Sequence, residues 1–112
     1  MSKRLKLHAP KLKLLCKLNN NRKRRWLEKN LDDSLLICLC ECSLNVLKGN
    51  IPLLPKQKKL LAEHKDCLRQ LIDKKISKKQ KKQILQDGGF VGMLLGPIVS
   101  VLSGLLSSNA SN

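Results

Sequence analysis

The sequence predicts an all-α fold: a basic disordered N-terminal arm, a small helical hairpin or three-helix unit, and a Pro-kinked hydrophobic C-terminal helix. Three observations predict it. Apolar residues recur every three or four positions between Trp26 and Asp87, and Gly, Pro and Ser stand where such stripes begin or end. Every ionisable side chain lies at or before Asp87, so Gly88 to Asn112 is uncharged. The chain divides accordingly into a basic arm over residues 1–25, a basic amphipathic helical region over 26–87, and an uncharged Gly/Ser-spaced tail over 88–112.

The arm mixes Leu5, Leu7, Leu12, Leu14 and Leu15 with lysines, and Asn19, Asn20 and Asn21 precede the run Arg22, Lys23, Arg24, Arg25. Lysines interrupt the leucines too often for the apolar core of a signal peptide, and disorder is the expectation here. The run at 22–25 has the form of a nuclear localisation signal and equally that of a solvated charge run.

From Trp26 to Lys48 the residues Leu27, Leu31, Leu35, Cys38, Cys42 and Val46 make one helical stripe, and Gly49 is placed to end that helix in the left-handed conformation. Pro55 suits a first helical turn, opening a second helix to about Asp73. Leu60, Leu61, His64, Cys67, Leu68, Leu71 and Ile72 fall on its apolar side, and Lys58, Lys59, Lys65 and Arg69 on the other. Ser77 followed by Gln80 is a capping-box pair, starting a short third helix to Asp87 that carries Lys78, Lys79, Lys81 and Lys82, with Lys74 and Lys75 just before it.

The tail from Phe90 to Leu106 is apolar or small throughout, close to the ~20 residues that a membrane-crossing helix needs. Gly88, Gly92, Gly96, Ser100, Gly104 and Ser108 place a small residue at every fourth position, leaving one face bare for close helix packing. Two readings stay open. The tail inserts into a membrane and self-associates, or it is a soluble hairpin of two half-helices hinged at Pro97 and folded onto the leucines of the first and second predicted helices.

Lys and Arg number 23 against 8 acidic residues, a formal net charge of +15, which calls for an acidic partner, nucleic acid or anionic lipid. Trp26 and Phe90 are the only Trp, Tyr or Phe residues, so extended or loosely packed helices are expected. The five cysteines, at 16, 38, 40, 42 and 67, lack disulfide-scaffold spacing and fit a reducing compartment. Cys38 and Cys42 share a helix face, yet neither His8 nor His64 pairs with them in a zinc-site pattern, and small apolar packing is the reading for that cluster. Asp32 and Asp33 suit a helix N-terminal half or pairing with nearby lysines. No Gly-rich phosphate loop, nucleophile elbow or spaced metal motif occurs, so no enzymatic activity, catalytic residue, metal or cofactor is expected.

The stretch from Asn45 to Phe90, NVLKGNIPLLPKQKKLLAEHKDCLRQLIDKKISKKQKKQILQDGGF, followed by the apolar tail, resembles core protein X-like sequences of Polinton (Maverick) elements and adintoviruses. Adenovirus core protein X, the mu precursor, is similar at greater distance. The shared pattern is a basic block, here Lys74 to Lys82, running into Gly88-Gly89 and a proline-containing hydrophobic tail; residues 1–44 lie outside it. The resemblance implies a virion core or minor capsid protein of the host nucleus, associated with packaged double-stranded DNA and capsid proteins, with a hydrophobic part active at membranes. The block is lysine-rich where the adenovirus peptide is arginine-rich, so point-charge contacts are expected in place of bidentate ones. Leu85-Gln86-Asp87-Gly88-Gly89 has one residue too many for a Leu-x-Gly-Gly protease site, and cleavage is not expected there.

The expected function is therefore non-specific binding of double-stranded DNA through Arg22, Lys23, Arg24, Arg25, Lys58, Lys59, Lys74, Lys75, Lys78, Lys79, Lys81 and Lys82. The alternative is a membrane-active protein whose tail inserts while the basic helices meet anionic headgroups. A sequence-specific helix-turn-helix regulator, reading bases through Gln80, Gln83 and Gln86, is a third class.

Overall fold

Helices account for most of the described residues in a computed structural model, which describes residues 3–86 and 89–111, with side chains described as far as Leu102 in the last helix. Among the described residues there are seven helices: α1 (Lys3–Lys17), α2 (Asn20–Asn30), α3 (Asp33–Leu47), α4 (Pro55–Glu63), α5 (Lys65–Ile72), α6 (Lys78–Gln86) and α7 (Gly89–Ser111). The all-α expectation holds.

The expected disorder of residues 1–25 does not hold among the described residues 3–25, which are helical apart from Leu18 and Asn19. Leu5, Ala9, Leu12 and Leu15 are spaced to share one face of α1, and all are buried. They are covered by α7, so the N-terminal leucines and the uncharged tail form two sides of one interface. Helices this short are marginal alone, and it is the burial of such a stripe that sustains them. Leu7 and Leu14, on the other side of α1, remain exposed. The 25/26 division falls inside α2.

The single helix expected from Trp26 to Lys48 is two helices. Asp32 Oδ1 accepts a hydrogen bond from the Leu35 N–H at 2.8 Å and caps α3, while the Leu31 N–H closes α2 on the Leu27 carbonyl at 3.0 Å. The predicted stripe survives the break: Leu27, Leu31, Leu35, Cys38, Cys42 and Val46 are all buried. At the other end of α3, Gly49 takes φ 75°, as its position predicts. The Gly49 N–H bonds the Val46 carbonyl (3.2 Å) and the Asn50 N–H the Asn45 carbonyl (2.9 Å), a Schellman closure.

The predicted second helix is likewise divided, at His64, into α4 and α5. Its ring packs on Phe90 at the start of α7, with ring centroids 5.9 Å apart. Leu61, Leu68 and Leu71 are buried, but Leu60 is about one-third exposed. The Ser77 box forms as expected: Gln80 N–H donates to Ser77 Oγ and Ser77 N–H to Gln80 Oε1, each at 3.2 Å.

Helix α7 runs through Pro97 as one helix, so two half-helices hinged there are not found. Phe90, Val91, Leu94, Leu95, Ile98 and Leu102 are buried against α1, α3, α4 and α6, while α3 packs along α5. Loose packing is also overturned. The radius of gyration is 13.4 Å, against about 13 Å for a folded chain of this length. Leucine dominates the interior: among the described residues, the largest side chains buried almost completely are leucines and Ile98. Burial of each stabilises by about 1.5–3 kcal/mol.

Candidate nucleic-acid interface

The two basic runs of the sequence lie on helices that pack together. Arg22 to Arg25 form the first turns of α2, where Asn19 Oδ1 caps the helix by accepting from the Arg22 N–H at 2.9 Å; Lys78 to Lys82 belong to α6, which lies against α2. Arg22, Arg24, Arg25, Lys74, Lys75 and Lys79 are exposed. Lys58 and Lys59 are exposed too, on α4, which packs on α5 and α7. Among the described residues, no carboxylate forms an ion pair with any of these eight side chains.

Four candidates are placed differently. Lys23 is buried, and its ammonium lies over the backbone of α7 at Gly92, where an added Cβ would come within 2.9 Å of Nζ. Lys78 and Lys82, one turn apart, both reach Asp33 at the start of α3, at 3.2 and 3.3 Å. Their hydrogen bonds hold the Asp33 carboxyl below its ordinary pKa. Lys81 is half-buried beside Leu36, Cys40 and Ile72.

The small residues of α7 do not form one free face. Gly92 receives Lys23, a Cβ added at Gly96 would lie 3.9 Å from the Gln57 amide nitrogen, and the exposed Ser100 donates to the Gly96 carbonyl at 3.1 Å. Gly88 lies outside the described residues, and Gly104 and Ser108 lie where α7 is described by its backbone alone. Among the described residues no single helix is long and apolar enough to cross a membrane.

A cleft of about 640 Å³ opens beside the basic face, between α2, α5, α6 and the start of α7. It is lined by Gln70, Gln80, Gln83 and Gln86, together with Arg24 and Glu28. Three of these glutamines were visible in the sequence as base-reading candidates; Gln70 and Arg24 come from other helices, and no linear motif unites them.

Cys42 and His8 are buried and Cys40 is half-buried. The Cys42 thiol is held well above its ordinary pKa by its hydrogen bond with Cys38 and by burial, and burial also raises Cys40. Neutral thiols of this kind are poor nucleophiles. His8 is buried between α1 and α3, sharing a 2.8 Å hydrogen bond with Ser34 Oγ through Nε2 while Nδ1 has no partner. Burial, with Lys11 and Arg4 adding to it and Asp32 opposing, lowers its pKa. Among the described residues no three His, Cys, Asp or Glu side chains are grouped to hold a metal ion.

No protein-family model, curated protein or solved structure matches this chain.

Proposed function

We propose that this chain is a nucleic-acid-binding protein that neutralises the phosphates of double-stranded DNA non-specifically, as a virion core or minor capsid component would. The observation that carries the reading is the pairing of α2 with α6. Arg22, Arg24 and Arg25 of α2 and Lys79 of α6, with Lys74 and Lys75 just before α6, are exposed, and among the described residues no carboxylate is ion-paired with them. Lysine and arginine so placed displace condensed counterions from a duplex, a gain that depends on charge density and not on base sequence. The resemblance to core protein X-like sequences supports the same partner.

The burial of α7 favours this reading over a membrane-active one. Insertion of α7 would strip Leu94, Leu95 and Ile98 from the core and uncover Leu12 and Leu15 of α1.

Duplex binding measured across a salt series tests the proposal. Log affinity should fall linearly with log salt with a slope of about −0.9 per phosphate contacted, equally for unrelated sequences. Replacing Arg22, Arg24 and Arg25 together by Ala should make the slope shallower by about two to three. Salt-independent affinity, or strong preference for one sequence, would refute it.

A further inference from the structure

We propose that the cleft between α2, α5 and α6 takes an unpaired nucleobase, held by the amides of Gln70, Gln83 and Gln86, while cations on the surrounding helices carry the phosphates. The inference rests on the nucleic-acid reading and gives it a site that distinguishes single strands from duplex.

The charge of the cleft is the first reason. The protein carries +15 overall, yet among the described residues on these walls Arg24 and Glu28 carry opposite charges, with His64 beside them, leaving an opening of little net charge. A pocket for a lone phosphate or sulfate would concentrate cations and exclude Glu28. A neutral hydrogen-bonding group suits the mixture better.

The second reason is the amides. Each primary amide both donates and accepts, the complement that base edges require, and glutamine pairs in this way with adenine. Gln80 is engaged in the Ser77 cap through Oε1, whereas Gln70 and Gln83 are exposed. Ile76 and Ile84 supply apolar wall for the flat faces of a base, and about 640 Å³ lies within the range of small-molecule sites. In a paired duplex the faces of the bases are stacked and their Watson–Crick edges paired, so only single-stranded segments, loops or ends could deliver a whole base to the cleft.

Cys67 lines the same cleft and is half-buried, providing a reporter in the native chain. The experiment compares an adenine-bearing single strand, an abasic strand with the same number of phosphates, and a duplex, each titrated into the full chain. Site-resolved mass spectrometry follows Cys67 alkylation in parallel. The adenine strand should bind about tenfold more tightly than the abasic strand. It alone should slow Cys67 alkylation. Replacing Gln70 and Gln83 together by Leu should abolish the tenfold difference while leaving abasic and duplex binding unchanged, with helical content checked by circular dichroism. Equal binding of adenine and abasic strands overturns the cleft and leaves the electrostatic reading intact. A base preference that survives the double substitution, with Cys67 unprotected, places the base elsewhere and also overturns it. Failure to bind any of the three probes removes the nucleic-acid reading and this inference together.

Discussion

Lys23 and Gly92 are in direct opposition: the lysine ammonium of α2 occupies the space that a side chain on α7 would fill. One member of a four-residue basic run is thereby withdrawn from the surface, while Arg22, Arg24 and Arg25 stay exposed. Lys23→Ala should leave duplex affinity within about twofold, and Arg24→Ala should weaken it and reduce the salt slope by about one. Fluorescence anisotropy over a salt series separates the two variants. Gly92→Leu should destabilise the fold by about 1–3 kcal/mol through overpacking, read from the urea midpoint. Gly92→Ala should be milder, because the flexible end of Lys23 can move and alanine is the better helix former.

Asp33 holds two lysines of the basic helix at once, through ion pairs that are well exposed. Asp33→Asn removes one negative charge and releases Lys78 and Lys82, so duplex affinity should rise and the salt slope steepen by about one or two. Because the carboxyl pKa is depressed in the folded chain, its stabilising effect is present above the unfolded value of 3.8 and is lost as pH falls through the folded one. The acid limb of a stability-against-pH curve should therefore be slightly shallower in Asp33→Asn than in the parent. An unchanged affinity would mean that the two lysines do not reach DNA even when freed.

His8 sets a second pH dependence in a higher range. Its folded pKa is lowered, chiefly by burial, with Lys11 and Arg4 adding to the effect and Asp32 opposing it. The unfolded chain takes up a proton near 6.5 while the folded chain resists it, chiefly because burial disfavours the charged ring. Stability is full above that value and declines as pH falls from about 6.5 toward the folded pKa. Urea midpoints measured at steps from about pH 7.5 to 5 should show this decline, and His8→Gln, which does not titrate, should flatten it. An identical slope in the variant would place the titrating group elsewhere.

What the sequence disclosed follows from the range over which each interaction acts. The Gly49 turn and the Ser77–Gln80 cap are set by residues within one helical turn of each other, and both form as their local chemistry predicts. The stripe from Leu27 to Val46 was equally legible, but its regularity concealed the break at Asp32, where the cap turns the chain without changing which face is buried. Residues 3–17 looked like an unpartnered arm because their cover, α7, lies at the opposite end of the chain. The candidate interface was legible as two charge runs, not as one surface. Its cleft draws on α2, α5, α6 and α7, and the inward turn of Lys23 depends on a glycine far away in sequence.

The interdependence of α1 and α7 gives the sharpest contrast between the readings of the tail. If the segment after Asp87 were a separate membrane element, a chain ending at Asp87 would keep the helical unit intact and keep its DNA affinity. Here α7 supplies Phe90, Val91, Leu94, Leu95, Ile98 and Leu102 to the core, all at most 4% exposed. Their removal leaves Leu5, Leu12 and Leu15 without cover, and the summed loss, at about 1.5–3 kcal/mol per large side chain, is comparable to the ~5–15 kcal/mol by which domains are stable. The shortened chain should lose its cooperative urea transition and much of its helical circular dichroism. It should still bind duplex weakly, because its charge is retained. A cooperative transition in the shortened chain would separate α7 from the core and restore the membrane reading.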